Sequence, residues 1–101
     1  MEEMKILWSR DALRDLEEAR EFITKENAKA AKGMIERIQT LLESLSVHSK
    51  LGRVGRVKGT RELVVIGTPF ILPYVIDKQR IIILGVRHAA RRWPKSFDTS
   101  R

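Results

Sequence analysis

The apolar residues of this 101-residue chain change their period once, and that change limits the fold more than any other feature. Up to about residue 45 they recur at three- and four-residue steps; beyond residue 60 they come in short unbroken runs. Ala12, Leu16, Ala19 and Ile23, widened by Leu13 and Phe22, form a stripe between Arg10, Asp11, Arg14, Asp15, Glu17, Glu18 and Glu21. That pattern is an amphipathic helix with one buried face, and it places Asp15 with the other charges on the solvent side. Ser9 is positioned to cap the helix start. Asn27 follows a break near Lys25 and Glu26 and can cap a second helix, whose stripe is Ala31, Met34, Ile35, Ile38, Leu41, Leu42 and Leu45. So short a connection makes the two helices antiparallel neighbours, an αα-hairpin.

Strand composition appears four times. Residues 4–8 (MKILW) suit a first strand, and residues 62–66, 70–76 and 80–86 suit three more. Residues 44–56, rich in Ser, Gly and positive charge, form a connection. The gaps at 67–69 and 77–79 are hairpin-sized, which predicts an antiparallel meander. Pro73 cannot donate to a ladder, so it belongs at an edge or a bulge. In the last run Ile81 and Ile83 alternate with Ile82, Leu84 and Val86, so both faces need cover. The helices supply one cover; residues 89–94 or a bound partner supply the other. The order is β-α-α-β-β-β, an α+β fold with a helical hairpin on one face of a small, mainly antiparallel sheet. Residues 1–95 form one domain, and 96–101 are expected to fray.

Charge is distributed unevenly. Residues 1–47 hold ten acidic and eight basic side chains, whereas 48–101 hold three and twelve. A half-chain with a net charge of +9 attracts polyanions, either nucleic acid or an acidic protein segment. With no cysteine there is no disulfide or thiolate metal site, and His48 and His88 are too few for a metal cluster. No metal or cofactor is expected. Nothing resembles a signal peptide or a membrane span, so the chain reads as cytoplasmic.

Four segments carry a resemblance: ILWSRDALRDLEEAREFI, LGRVGRVKGTRELVV, TPFILPYVI and ILGVRHAARRWP. They resemble the RelE/ParE superfamily, toxins of bacterial type II toxin–antitoxin systems, including proteins labelled as plasmid-stabilisation factors. The resemblance implies growth inhibition relieved by a cognate antitoxin, in a toxin–antitoxin hetero-oligomer. It implies one of two targets. RelE-like members are mRNA interferases that cut message on the ribosome, without metal, and ParE-like members inhibit DNA gyrase non-enzymatically. A non-toxic antitoxin-binding module is the third possibility.

Ribosome-dependent mRNA cleavage is the first expectation, because a basic half suits an RNA-filled site. That chemistry needs a base, an acid and a cation for the phosphate. Arg61, Arg87 and His88 are the candidate catalytic residues, with Glu62 nearby. Arg53, Arg56, Lys58, Arg91 and Arg92 are the candidate nucleic-acid-binding residues. Two departures count against a simple transfer of mechanism. The related nucleases carry an arginine in the middle strand where this chain has Ile71, and their tails end in tyrosine or a His-Tyr pair, which is missing here. Gyrase inhibition asks only for an exposed surface in residues 87–94. Trp93 is either its anchor or, as expected here, packed on the helices.

Overall fold

The computed structural model describes residues 3–101. Ser9 Oγ accepts from the Ala12 N–H at 3.0 Å and opens α1 (Arg10–Glu26). Asn27 then acts twice. Its backbone N–H donates to Ile23 O at 2.9 Å, and its Oδ1 accepts from Lys29 and Ala30 at 3.0 and 3.2 Å. One residue thus closes α1 and opens α2 (Ala28–Val47), which is why the turn is so tight.

The strands are β1 (Lys5–Trp8), β2 (Arg53–Val54), β3 (Arg61–Val64), β4 (Phe70–Asp77), β5 (Arg80–Ile83) and β6 (Arg87–His88). They form one sheet in the order β1-β5-β4-β3-β2, with β6 pairing β4. Only β1, parallel to β5, departs from antiparallel pairing. The helices cover the face carrying Leu63, Val65, Phe70, Leu72, Tyr74, Ile81 and Ile83, which pack with Ala12, Ala19, Met34, Ile38 and Leu45. The opposite alternation (Ile71, Pro73, Ile82, Leu84) is buried as well, as the doubly apolar last run requires.

Several boundaries differ from the sequence reading. The second helix continues through Val47, because Met34, Ile38 and Leu45 keep its stripe on the core. The connection that follows contributes the two residues of β2. The run expected as one strand over 80–86 ends early: β5 stops at Ile83, residues 84–86 leave the ladder, and β6 begins only at Arg87. Between the pairs Tyr74↔Ile83 and Ile71↔Arg87, β4 has two residues and its partner has three, so one residue is bulged. Pro73 lies opposite that bulge, where the ladder is already interrupted and a missing N–H costs least. Its carbonyl still accepts from Leu84 N–H at 2.9 Å.

Tyr74 ties the sheet to the end of α2. Fully buried, it donates from its hydroxyl to Ser49 O at 2.8 Å and accepts from Gly52 N–H at 2.9 Å. Burial pushes its phenol pKa up, the Gly52 N–H and Arg61 opposing. Tyr74→Phe leaves the Gly52 N–H and the Ser49 carbonyl without this partner. A loss of about 1–3 kcal/mol is expected, to be read as a lower urea midpoint at unchanged slope.

Candidate functional site

The glycines of the Gly-Arg-x-Gly-Arg segment are set by close backbone approach. A Cβ on Gly52 would stand 2.6 Å from Glu62 O, and one on Gly55 would stand 2.2 Å from Thr60 Oγ1. Gly55 N–H donates to Thr60 O at 2.8 Å and closes the hairpin between β2 and β3. Pairing places Arg53 opposite Glu62. Glu62 is one residue out of step with core-facing Leu63, so it projects to the face away from the helices. There its side chain is only 2% exposed and bridges Arg53 at 3.1 Å and Arg56 at 3.3 Å. Burial alone would raise its pKa. The Arg56 N–H at 2.8 Å and the two guanidinium groups outweigh that and hold it below the ordinary value. Lys58 is exposed in the same turn.

A second cluster surrounds the bulge. Asp15 does not lie among the solvent-side charges; it is buried, and its Oδ2 accepts the Val86 N–H at 3.2 Å. The same oxygen is 3.8 Å from Arg87 Nη1. Burial raises the Asp15 pKa, with the Val86 N–H and Arg87 opposing. Gly85 makes the approach possible, since a Cβ there would stand 2.9 Å from Asp15 Oδ2 and 3.2 Å from Arg87 Cδ. The Arg87 side chain passes over Gly85 toward α1. That path is how Arg87 and its strand neighbour His88 both line one cleft of about 160 Å³, with Phe22, Phe70, Arg91 and Arg92. The His88 ring meets Phe22 and Phe70 edge-on at 6.2 and 5.7 Å, and its Nδ1 accepts from Ala90 N–H at 3.1 Å.

Two contacts join the clusters. Arg56 Nη1 donates to Ala89 O at 3.3 Å, and its guanidinium lies 3.7 Å from the centre of the Trp93 ring. Trp93 donates to His88 O at 3.0 Å and meets Phe97 edge-on at 6.4 Å. The expectation that Trp93 packs on the helices is therefore corrected: Arg56 and Phe97 hold it, and Arg56 belongs to the hairpin built on Glu62. Further on, Ser100 O accepts from Arg10 N–H at 2.7 Å.

The family profile described as "ParE toxin of type II toxin-antitoxin system, parDE" matches residues 6–93. The chain belongs to the ParE toxin family. Y4kP of Sinorhizobium fredii is 40% identical over 95 residues, covering 94% of this chain and 98% of that one. Toxin RelE2 of Caulobacter vibrioides is 33% identical over 87 residues, covering 86% and 97%. A chain of the solved chromosomal ParDE toxin–antitoxin system from P. aeruginosa superimposes with a TM-score of 0.71. At 24% identity, over 84% of this chain and 95% of that one, it shows the shared fold.

In this ParE-family toxin the candidate residues fall into separate groups. Arg53, Arg56 and Lys58 share the hairpin, while Arg87, His88, Arg91 and Arg92 share the cleft. Arg61 joins neither group. It pairs with Tyr74 on the helix-facing side and donates to Gly52 O at 2.8 Å. Arg87 pairs with Ile71, three residues along β4 and across it, so the two backbones are about 14 Å apart by strand geometry. Sequence reasoning missed Asp15 and Gly85. The available signal was a lone glycine interrupting a run of isoleucines, the usual mark of a bulge or a close approach.

Proposed function

We propose that this toxin arrests growth by binding DNA gyrase and blocking it, without cutting any substrate itself. It acts in the cytoplasm and is silenced in a hetero-oligomer with its cognate antitoxin. The observation that carries this reading is the dispersal of the candidate catalytic groups. Cleavage by a 2′-hydroxyl needs a base, a phosphate-binding cation and an acid around a single phosphate. Arg61 is about 14 Å from Arg87 at the backbone and is engaged by Gly52 O. The His88 Nδ1 is occupied by Ala90 N–H, and Ile71, where the related nucleases carry arginine, is buried. An inhibitor that works by occupying its target needs none of this convergence.

One observation favours mRNA cleavage: Arg87, His88, Arg91 and Arg92 do line a common cleft. The test sets a supercoiling assay with purified gyrase beside primer-extension mapping of message on translating ribosomes. Blocked supercoiling with intact message is expected. New message ends with unaffected supercoiling would overturn the proposal.

A further inference from the structure

The buried carboxylate of Glu62 holds two arginines in fixed geometry. Its Oε1 accepts from Arg53 Nε and Nη2 at 3.2 and 3.1 Å, and its Oε2 accepts from the Arg56 N–H and Nε at 2.8 and 3.3 Å. Arg56 is fixed further by Ala89 O and by the Trp93 ring. Both side chains still reach solvent, at 57% and 40% exposure, leaving Arg53 Nη1 and Arg56 Nη2 with no intramolecular partner among the described residues. Lys58 adds a third cation from the turn, next to Gly59, whose φ of 82° bends the chain. Guanidinium forks already held in place lose little side-chain entropy on binding, and their geometry suits phosphate oxygens.

We infer that Arg53, Arg56 and Lys58 form a binding site for the phosphodiester backbone of duplex DNA. The choice of polymer rests on the gyrase reading, since duplex DNA is what gyrase handles. The aromatic rings argue for a duplex over a single strand of RNA. Proteins that hold single strands offer aromatic faces on which bases stack. Here Trp93 carries Arg56 over its ring and Phe97 at its edge. Phe22 lies under Arg91 and against Phe70 and His88, and Tyr74 is wholly buried. Around Arg53, Arg56 and Lys58 the surface therefore offers cations to phosphates while the neighbouring Trp93 has a face taken by Arg56, and phosphate contacts of that kind are indifferent to sequence.

Fluorescence anisotropy of the full chain with a labelled duplex of about 30 base pairs, across a salt series, tests the site. Three neutralised phosphates predict a slope of about −2.7 for log K against log salt. Lys58→Ala, which removes no hydrogen bond seen in the structure, should lower the slope by about 0.9 and weaken binding about five-fold at 0.15 M salt. Arg53→Gln should do the same. A flat salt response, wild-type affinity in both variants, or tighter binding of single-stranded RNA of the same sequence would overturn the site. The supercoiling assay keeps the two readings apart. Blocked gyrase with no DNA affinity removes the DNA site and leaves gyrase inhibition standing. DNA affinity with unimpeded gyrase supports the site and overturns gyrase inhibition.

Discussion

Gly52→Ala is expected to lower the unfolding free energy by about 3 kcal/mol and to leave little soluble toxin. The added Cβ would meet Glu62 O and Tyr74 Cε1, each at 2.6 Å, and Tyr74 Oη at 2.8 Å. Neither neighbour can yield cheaply. Glu62 O is strand backbone, and the Tyr74 ring is fully buried with its hydroxyl bonded to both Ser49 O and Gly52 N–H. Overpacking a site of that kind costs about 1–3 kcal/mol, and displacing the Tyr74 hydroxyl adds about 1 more. Gly33 serves as the control, because a Cβ there meets nothing nearer than Arg37 Nη2 at 4.0 Å. In mid-helix, Gly33→Ala should stabilise by about 0.5–1 kcal/mol. Urea denaturation of the two variants beside the parent reads both effects. A Gly52→Ala protein within 1 kcal/mol of the parent would show that the hairpin accommodates the methyl group and that the close approach is not required.

The features legible in the sequence are those that repeat within a single element. The stripes of α1 and α2, the caps at Ser9 and Asn27 and the doubly apolar last run each follow from neighbours a few residues away. Pro73 was legible for the same reason, since a missing donor restricts its own strand whatever lies beside it. Features that depend on distant partners were not legible. Helical spacing groups Asp15 with the solvent charges because it records neighbours on α1 only, and the Val86 N–H that it accepts from is 71 residues away. The parallel seat of β1 beside β5 has no local mark. Of the candidate site, the basic residues were legible as residue types. Their division was not, because it depends on which partner each meets: Glu62 for Arg53 and Arg56, Asp15 for Arg87, and Gly52 O for Arg61.

The two buried carboxylates should respond to pH in opposite directions. Removing Glu62 carries the larger cost. Glu62→Ala strands the Arg56 N–H and parts two arginines from the hairpin. A loss of about 3 kcal/mol at neutral pH is expected, most of it from the buried acceptor, because the arginines themselves can turn back to water. The Glu62 pKa is lowered on folding: burial works against that, and the Arg56 N–H and the two guanidinium groups prevail. Its stabilisation is therefore present above the ordinary glutamate value and is lost as pH falls through the depressed folded value. The deficit of Glu62→Ala should accordingly shrink in acid. Asp15 has its pKa raised, chiefly by burial, so the stability linked to its protonation is present at low pH and is lost as pH rises through the raised value. Asp15→Asn keeps an acceptor for Val86 N–H and removes the buried charge. It should match or exceed the parent in stability at pH 7, and any gain should vanish in acid. Thermal denaturation of both variants from pH 3 to 8 reads the two slopes. An Asp15→Asn protein that is weaker than the parent at pH 7 but equal to it in acid would mean that the pairing with Arg87 outweighs the cost of burial. The Asp15 pKa would then lie below the ordinary aspartate value and not above it.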